Sequence, residues 1–180
     1  MDDPGQRQIL ALKAASTYVF RVSGGGPLHI TQDLTDAIHA LAARHEPQTS
    51  MMFRADFTGQ NDGPKVRLEE FDRFQSPDAR EVRSLFVQGA QDISTVSHPV
   101  AHACLWAAYA TYNQFYFDGN KRTARHTMNA LLLSRGFDSI VVPASAKTSY
   151  EDHLIEAFKT GDLTAQARFL ARFYWDGLSV

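Results

Sequence analysis

The sequence predicts a mainly α-helical protein carrying one small β-hairpin. Apolar residues return near the 3.6-residue period along most of the chain, in segments longer than strands normally run. Residues 51–74 break that pattern. There M-M-F-R-A-D-F and K-V-R-L-E-E-F alternate loosely around the turn formers Thr58 to Pro64. No apolar run approaches the ~20 residues that a membrane span needs. At 180 residues the chain is expected to form one domain, 1–180, with a substantial core.

Composition narrows the function classes. Hydrophobic residues make up 44% and charged residues 21%, as in an ordinary globular protein. A net charge of −2 argues against a general polyanion binder, so no nucleic-acid partner is expected and any phosphate site must be local. The single cysteine, Cys104, lies in an apolar helical stretch, which excludes an internal disulfide and suits a reducing compartment. The start, M-D-D-P-G-Q-R-Q, lacks the basic region and apolar stretch of a secretion signal. A cytoplasmic location without a membrane partner is the expectation.

Taken in order, 6–22 reads as a helix through Ile9, Leu10, Leu12, Ala15, Tyr18, Val19 and Val22, ended by Ser23-Gly24-Gly25-Gly26-Pro27. A second helix is expected over 31–45, with Thr31 as N-cap and Asp33 in the first turn. The hairpin at 51–74 follows, and helical spacing resumes over 77–91. Residues 98–114 start after Ser97 as N-cap, with Pro99 in the first turn. Their small-residue face (Val100, Ala103, Cys104, Ala107, Ala108, Thr111) marks the buried spine of the fold. His98 and His102 lie four apart, as two metal ligands would, but no third ligand stands at a convincing spacing, and capping or core roles fit them better. A second buried helix is expected over 123–135, then a short extended piece at 140–143. Helices over 147–160 and 163–175 close the chain.

The chemistry concentrates in Gln114–Asn129, Q-F-Y-F-D-G-N-K-R-T-A-R-H-T-M-N. Asp118-Gly119-Asn120 is a turn between two apolar helical runs. Lys121, Arg122 and Arg125 crowd the start of the second run, where the helix dipole disfavours cations. A bound anion reconciles the two, because free N–H groups at a helix start already point at such a ligand. Arg122 and Arg125 share a face, and their planar forks suit bidentate phosphate contacts. Asp118 is placed to hold a divalent cation shared with phosphate oxygens.

This stretch resembles the core of the Fic/Doc family, whose signature is H-x-F-x-[D/N]-[G/A]-N-[G/K]-R. The resemblance runs on through N-A-L-L-L-S-R-G-F, is similar at His98-Pro99-Val100 and from Tyr150 to Leu170, and covers roughly 77–175. It implies a Fic-type helical bundle whose β-hairpin flap, here 51–74, aligns a target protein by strand addition, with the N-terminal helices and flap filling 6–74. The reaction it implies moves AMP from ATP to a protein hydroxyl. Asp118 would hold Mg²⁺ with ATP or another phosphate-bearing ligand, Gly119 and Asn120 would form the backbone cradle, and Arg122 and Arg125 would clamp phosphate oxygens. Lys121 matches the variant found in Doc, a phosphotransferase toxin of a toxin–antitoxin pair, so an antitoxin-like partner is an alternative expectation.

Two positions depart from the family pattern. Gln114 stands where the family has its histidine, and Tyr116 where it has phenylalanine. An amide has no usable pKa and cannot serve as general base. Tyr116 or His126 would then have to supply the acid or base, or the chain is a catalytically inactive scaffold that binds nucleotide or protein. Many family members also carry an inhibitory [S/T]-x-x-x-E-[G/N] helix. None of Glu46, Glu69, Glu70, Glu81, Glu151 and Glu156 is followed by Gly or Asn, so no self-inhibitor is expected.

Overall fold

The computed structural model of the protein describes residues 3–46, 52–57, 64–68 and 71–177. Among them the chain forms α1 (Pro4–Ser23), α2 (Gln32–Ala42), β1 (Lys65–Leu68), β2 (Phe71–Gln75), α3 (Ala79–Ser94), α4 (Pro99–Asn113), α5 (Asn120–Leu133), α6 (Lys147–Thr160) and α7 (Thr164–Gly177). The fold is mainly α, as the periodicity predicts.

The centre is α4. Val100, Ala103, Cys104, Trp106, Ala107, Ala108, Ala110 and Thr111 are all buried, so apolar or small side chains surround it on every side. Helices α5, α7, α3 and α6 pack around it. The fully buried Trp106 meets Phe86 edge-on at 5.2 Å and Phe115 at 6.0 Å, placing aromatic mass beneath the loop that follows α4. Burial pushes the Cys104 thiol up to about 12, leaving it an inert core residue. On the far side of α5, α1 and α2 close a smaller cluster of Val19, Leu34, Ile38 and Ala130.

Local chemistry sets most boundaries. The Thr31 hydroxyl accepts from the Leu34 N–H at 3.2 Å, as expected of an N-cap. His98 rather than Ser97 caps α4, its Nδ1 accepting from the Ala101 N–H at 3.5 Å, while His102 is buried in the helix behind it. Helix α5 begins at Asn120, three residues before the apolar period starts, because Gly119 takes φ +73 and turns the chain directly into it. Residues 140–143, expected to be extended, lie in no helix or strand among the described residues. The Asn129 side chain replaces the missing strand, accepting from the Ile140 N–H at 2.9 Å and donating to its carbonyl at 3.2 Å.

The hairpin differs from its expectation. The paired strands are β1 and β2, with Lys65 opposite Gln75 and Leu68 opposite Phe71, so K-V-R-L-E-E-F contains one whole strand and the start of the next. Residues 58–63, read as the loop, lie outside the described residues, and so do 51 and 69–70. The segment before them does not pair with β1. Phe53 instead bridges Tyr116, the Arg54 N–H donates to the Phe115 carbonyl at 3.0 Å, and Arg54–Asp56 is a single 3-10 turn. The loop after α4 and the 3-10 turn itself take the backbone groups shown bonded here, so Phe53 and Arg54 pair with that loop rather than with β1. Among the described residues no helix is long and apolar enough to cross a membrane.

Candidate functional site

The site is built on the turn joining α4 to α5. Helix α4 stops because Gln114 takes the left-handed conformation, φ 51 and ψ 59. That costs a non-glycine residue about 1–2 kcal/mol, so the surroundings must hold it. A hydrogen-bonded net does so. Asn120 Nδ2 donates to Gln114 Oε1 at 3.0 Å and to the Tyr116 carbonyl at 2.8 Å, while the Tyr116 N–H donates to Asn120 Oδ1 at 2.8 Å. Gln114 Nε2 donates back to the Thr111 carbonyl. Both ends of the Gln114 amide are therefore engaged within the protein. A side chain at Gly119 would be strained at φ +73 and would press its Cβ to 3.1 Å from Ala43 Cβ and 3.2 Å from His39 Cε1. No side chain caps α5 and no acid lies in its first turn, so its leading N–H groups face outward without a protein acceptor of that kind.

Those groups border an open cavity of about 590 Å³. Its cations are Lys121, Arg122, Arg125 and Lys147, against the two carboxylates Asp118 and Glu151. Phe117, Tyr150, Leu154 and Phe158 give it an apolar wall, and Gln8, Pro64, Gln114, Gly119 and Asn120 complete the lining. A concave, partly apolar site with an excess of positive charge and an uncapped helix start suits an anion attached to a flat or apolar body.

The arginines share this cavity but not their partners. Arg125 lies over the Tyr150 ring at 5.7 Å, a cation–π contact that leaves its N–H edge for a ligand. Arg122 is occupied. Its Nη1 stands 2.6 Å from His45 Nε2, which itself lies 3.0 Å from Glu46 Oε1, and its Nη2 donates to Glu46 Oε1 at 2.9 Å. Asp118 Oδ1 lies 3.7 Å from the same nitrogen and accepts from the Gly119 N–H. Lys121 is exposed at the cavity lip and forms no ion pair among the described residues. Asp118 offers one half-exposed carboxylate, and no cluster of three His, Cys, Asp or Glu side chains forms among the described residues. That donor set fits Mg²⁺ only in the mode where phosphate oxygens and water complete the shell.

Two expected acid–base residues point elsewhere. Tyr116 is buried beneath the turn, stacked on His39 at 3.7 Å, its hydroxyl donating to Asp36 Oδ1 at 2.6 Å. Burial first, and then the Asp36 charge, hold its phenol well above the usual range, so it stays protonated. His126 faces α1. Its Nδ1 lies 3.1 Å from the Arg122 carbonyl, and its Nε2 lies 3.3 Å from Ser16 Oγ. Neither residue lines the cavity. Helical spacing put His126 near Arg122 correctly, but its side chain is drawn under α1 rather than outward.

Several residues escaped the sequence reading. Lys147 gave no signal beyond opening a helix, and it reaches the cavity because α6, packed against α7 and α4, lines the same wall with Tyr150, Glu151, Leu154 and Phe158. Glu46 was passed over because Pro47, not Gly or Asn, follows it, yet its carboxylate engages Arg122. Arg54, fully buried, donates through Nη1 to the Gln114 carbonyl at 2.8 Å, a contact across sixty positions that no local pattern shows.

No family model matches the chain. Part of it is 33% identical, over 82 residues, to the protein adenylyltransferase Fic of Drosophila erecta, covering 46% of this chain and 16% of that protein. The protein adenylyltransferase Fic of Nematostella vectensis is 35% identical over 77 residues, 43% of this chain and 18% of its own. The matched stretch thus spans about a sixth of these curated relatives. Among solved structures, Fic-1 (residues 134–508) from C. elegans superposes with a TM-score of 0.69 at 17% identity, covering 99% of this chain and 50% of that one. A Fic domain containing signaling protein from Bacteroides thetaiotaomicron gives 0.71 at 16% identity, over 96% and 66%. The fold is the Fic-type helical fold. The chain is similar to Fic proteins in fold throughout and in sequence over the matched stretch.

Proposed function

We propose that the cavity binds a nucleotide or other phosphate-bearing substrate together with Mg²⁺, and that the protein transfers part of it to a hydroxyl group in an AMPylation-like reaction. The observation that carries this reading is the convergence of Lys121, Arg122 and Arg125 with the uncapped start of α5 on one cavity. The names of the relatives, protein adenylyltransferases, support the direction of transfer. Phosphoryl-type transfers depend mainly on positioning and charge neutralisation, which this lining can supply. Mg²⁺, held by Asp118 and the ligand's own oxygens, would add neutralising charge there. Among the described residues β1 and β2 pair with each other alone, which offers edges for a target segment to pair on. A Doc-like phosphotransferase is the second reading, favoured by Lys121 at the lip.

Titration calorimetry with ATP and Mg²⁺ tests the site. Binding is expected in the wild type, with a loss of roughly 10–100-fold in Arg125→Ala, as for one charge-assisted hydrogen-bond pair. Wild-type protein that gives no heat at millimolar ATP overturns the reading. ATP labelled at the alpha or gamma position then separates AMP transfer from phosphate transfer. Label transferred from neither leaves a binding scaffold.

A further inference from the structure

Among the residues whose side chains are described, Arg54 is the sole buried Lys, Arg, Asp or Glu, with no exposed surface. It forms no ion pair among those residues. Its guanidinium is spent on backbone carbonyls: Nη1 donates to Gln114 at 2.8 Å and reaches Asn113 at 3.5 Å, and Nη2 donates to Pro77. The Nε proton finds no partner among the described residues. Burying a cation without a directly paired carboxylate is unfavourable, and burial, opposed in part by the charge of Asp78, lowers its pKa to about 10, which still leaves it charged at neutral pH. Such an arrangement needs a compensating task.

The carbonyls it meets explain the task. Gln114 caps α4 in the left-handed conformation, and the last carbonyls of a helix lack intrahelical donors. A cation at that end complements the negative pole of the helix. The same segment holds the next two residues as well, through the Arg54 N–H on the Phe115 carbonyl and the Phe53–Tyr116 bridge. Three consecutive residues of the turn are thus fixed from outside it, by residues that do not line the cavity.

We propose that Arg54 is the positioning residue of the site: by donating to the Gln114 carbonyl it locks the left-handed turn from which the Gln114 and Asn120 amides are aimed. It touches neither the cavity nor any ligand, and its effect on binding rests on the phosphate reading above. Its effect on the turn does not.

The experiment compares wild type, Arg54→Met and Arg54→Lys by thermal melting, by NMR of the ligand-free protein, and by calorimetry with ATP and Mg²⁺. The NMR readout is the side-chain NH₂ pairs of Gln114 and Asn120, whose donors are engaged in the native turn. In folded Arg54→Met both pairs are expected to shift, their exchange with solvent to accelerate at least about tenfold, and ATP affinity to fall about tenfold, as for one lost charge-assisted contact. Arg54→Lys reaches fewer of the carbonyls and is expected to shift the same resonances less, with a loss of about threefold. If Arg54→Met does not fold, Arg54→Lys decides: shifted NH₂ pairs support the proposal, wild-type pairs overturn it. A melting temperature lowered with NH₂ resonances and affinity unchanged would show a purely structural arginine. Wild type that fails to bind ATP removes the phosphate reading, while the ligand-free NH₂ signature still decides the role of Arg54.

Discussion

Gln114 Oε1 accepts from Asn120 Nδ2 at 3.0 Å, tying the residue that ends α4 to the residue that begins α5. With Nε2 committed to the Thr111 carbonyl, the Gln114 amide braces the turn and does not take up a substrate proton. If Gln114 occupies the base position, Gln114→His restores a group with a usable pKa, in a left-handed conformation that histidine tolerates better than most residues. Label transfer from ATP is expected to rise by about 10²–10⁴-fold. Retained ATP binding with unchanged transfer would show that the missing step lies elsewhere.

Glu46 competes with any anion for Arg122. The pair is 2.9 Å apart, with side chains 23% and 13% exposed, so solvent screens it only in part. Glu46→Ala is expected to tighten ATP binding by about 3–10-fold, roughly 0.7–1.4 kcal/mol. Weaker binding in calorimetry would mean that Glu46 orients Arg122 rather than blocks it.

Packing between α3 and α4 has no slack at Gly89. A Cβ there would overlap the Tyr109 ring, and that ring is anchored by its hydroxyl donating to the Leu85 carbonyl at 2.7 Å. Alanine gains about 1 kcal/mol of helix propensity over glycine, but overpacking of this severity costs about 1–3 kcal/mol and the anchored ring cannot swing aside freely. Gly89→Ala is expected to lower the melting temperature by several degrees, about 2–4 °C per kcal/mol for a chain of this size. An unchanged or raised melting temperature would contradict the packing.

Acid stability should follow the buried histidines. Burial lowers the pKa of both His102 and His126 below the ordinary 6.5. The unfolded chain then binds more protons than the folded one in the window between, so their contribution is fully present above about pH 6.5 and is lost as pH falls toward the lowered values. Melting temperature is expected to drop from pH 7.5 to 5.5, and His126→Gln to show a smaller drop. A steeper drop in the variant would reverse the assignment.

How much of this was legible beforehand depends on range. The helices, the Thr31 cap and the Gly119 turn follow from neighbours within a few residues, and the chain alone points to them. The hairpin was displaced because alternation over 51–74 fits more than one register, and only competition for backbone hydrogen bonds decides which segment pairs. Phe53 and Arg54 gave theirs to the loop after α4.

At the site the same division holds. The sequence by itself determined the set of charges at the start of α5, since residues 118–125 are bound into one turn of chain whatever surrounds them. Tertiary structure decided the rest: Lys147 as a further cation, Glu46 on Arg122, Arg54 behind Gln114, and His126 turned under α1. The reason is geometric. Helical period fixes which face a side chain leaves from, whereas what it meets there depends on helices brought alongside by burial of apolar surface, a force without direction of its own.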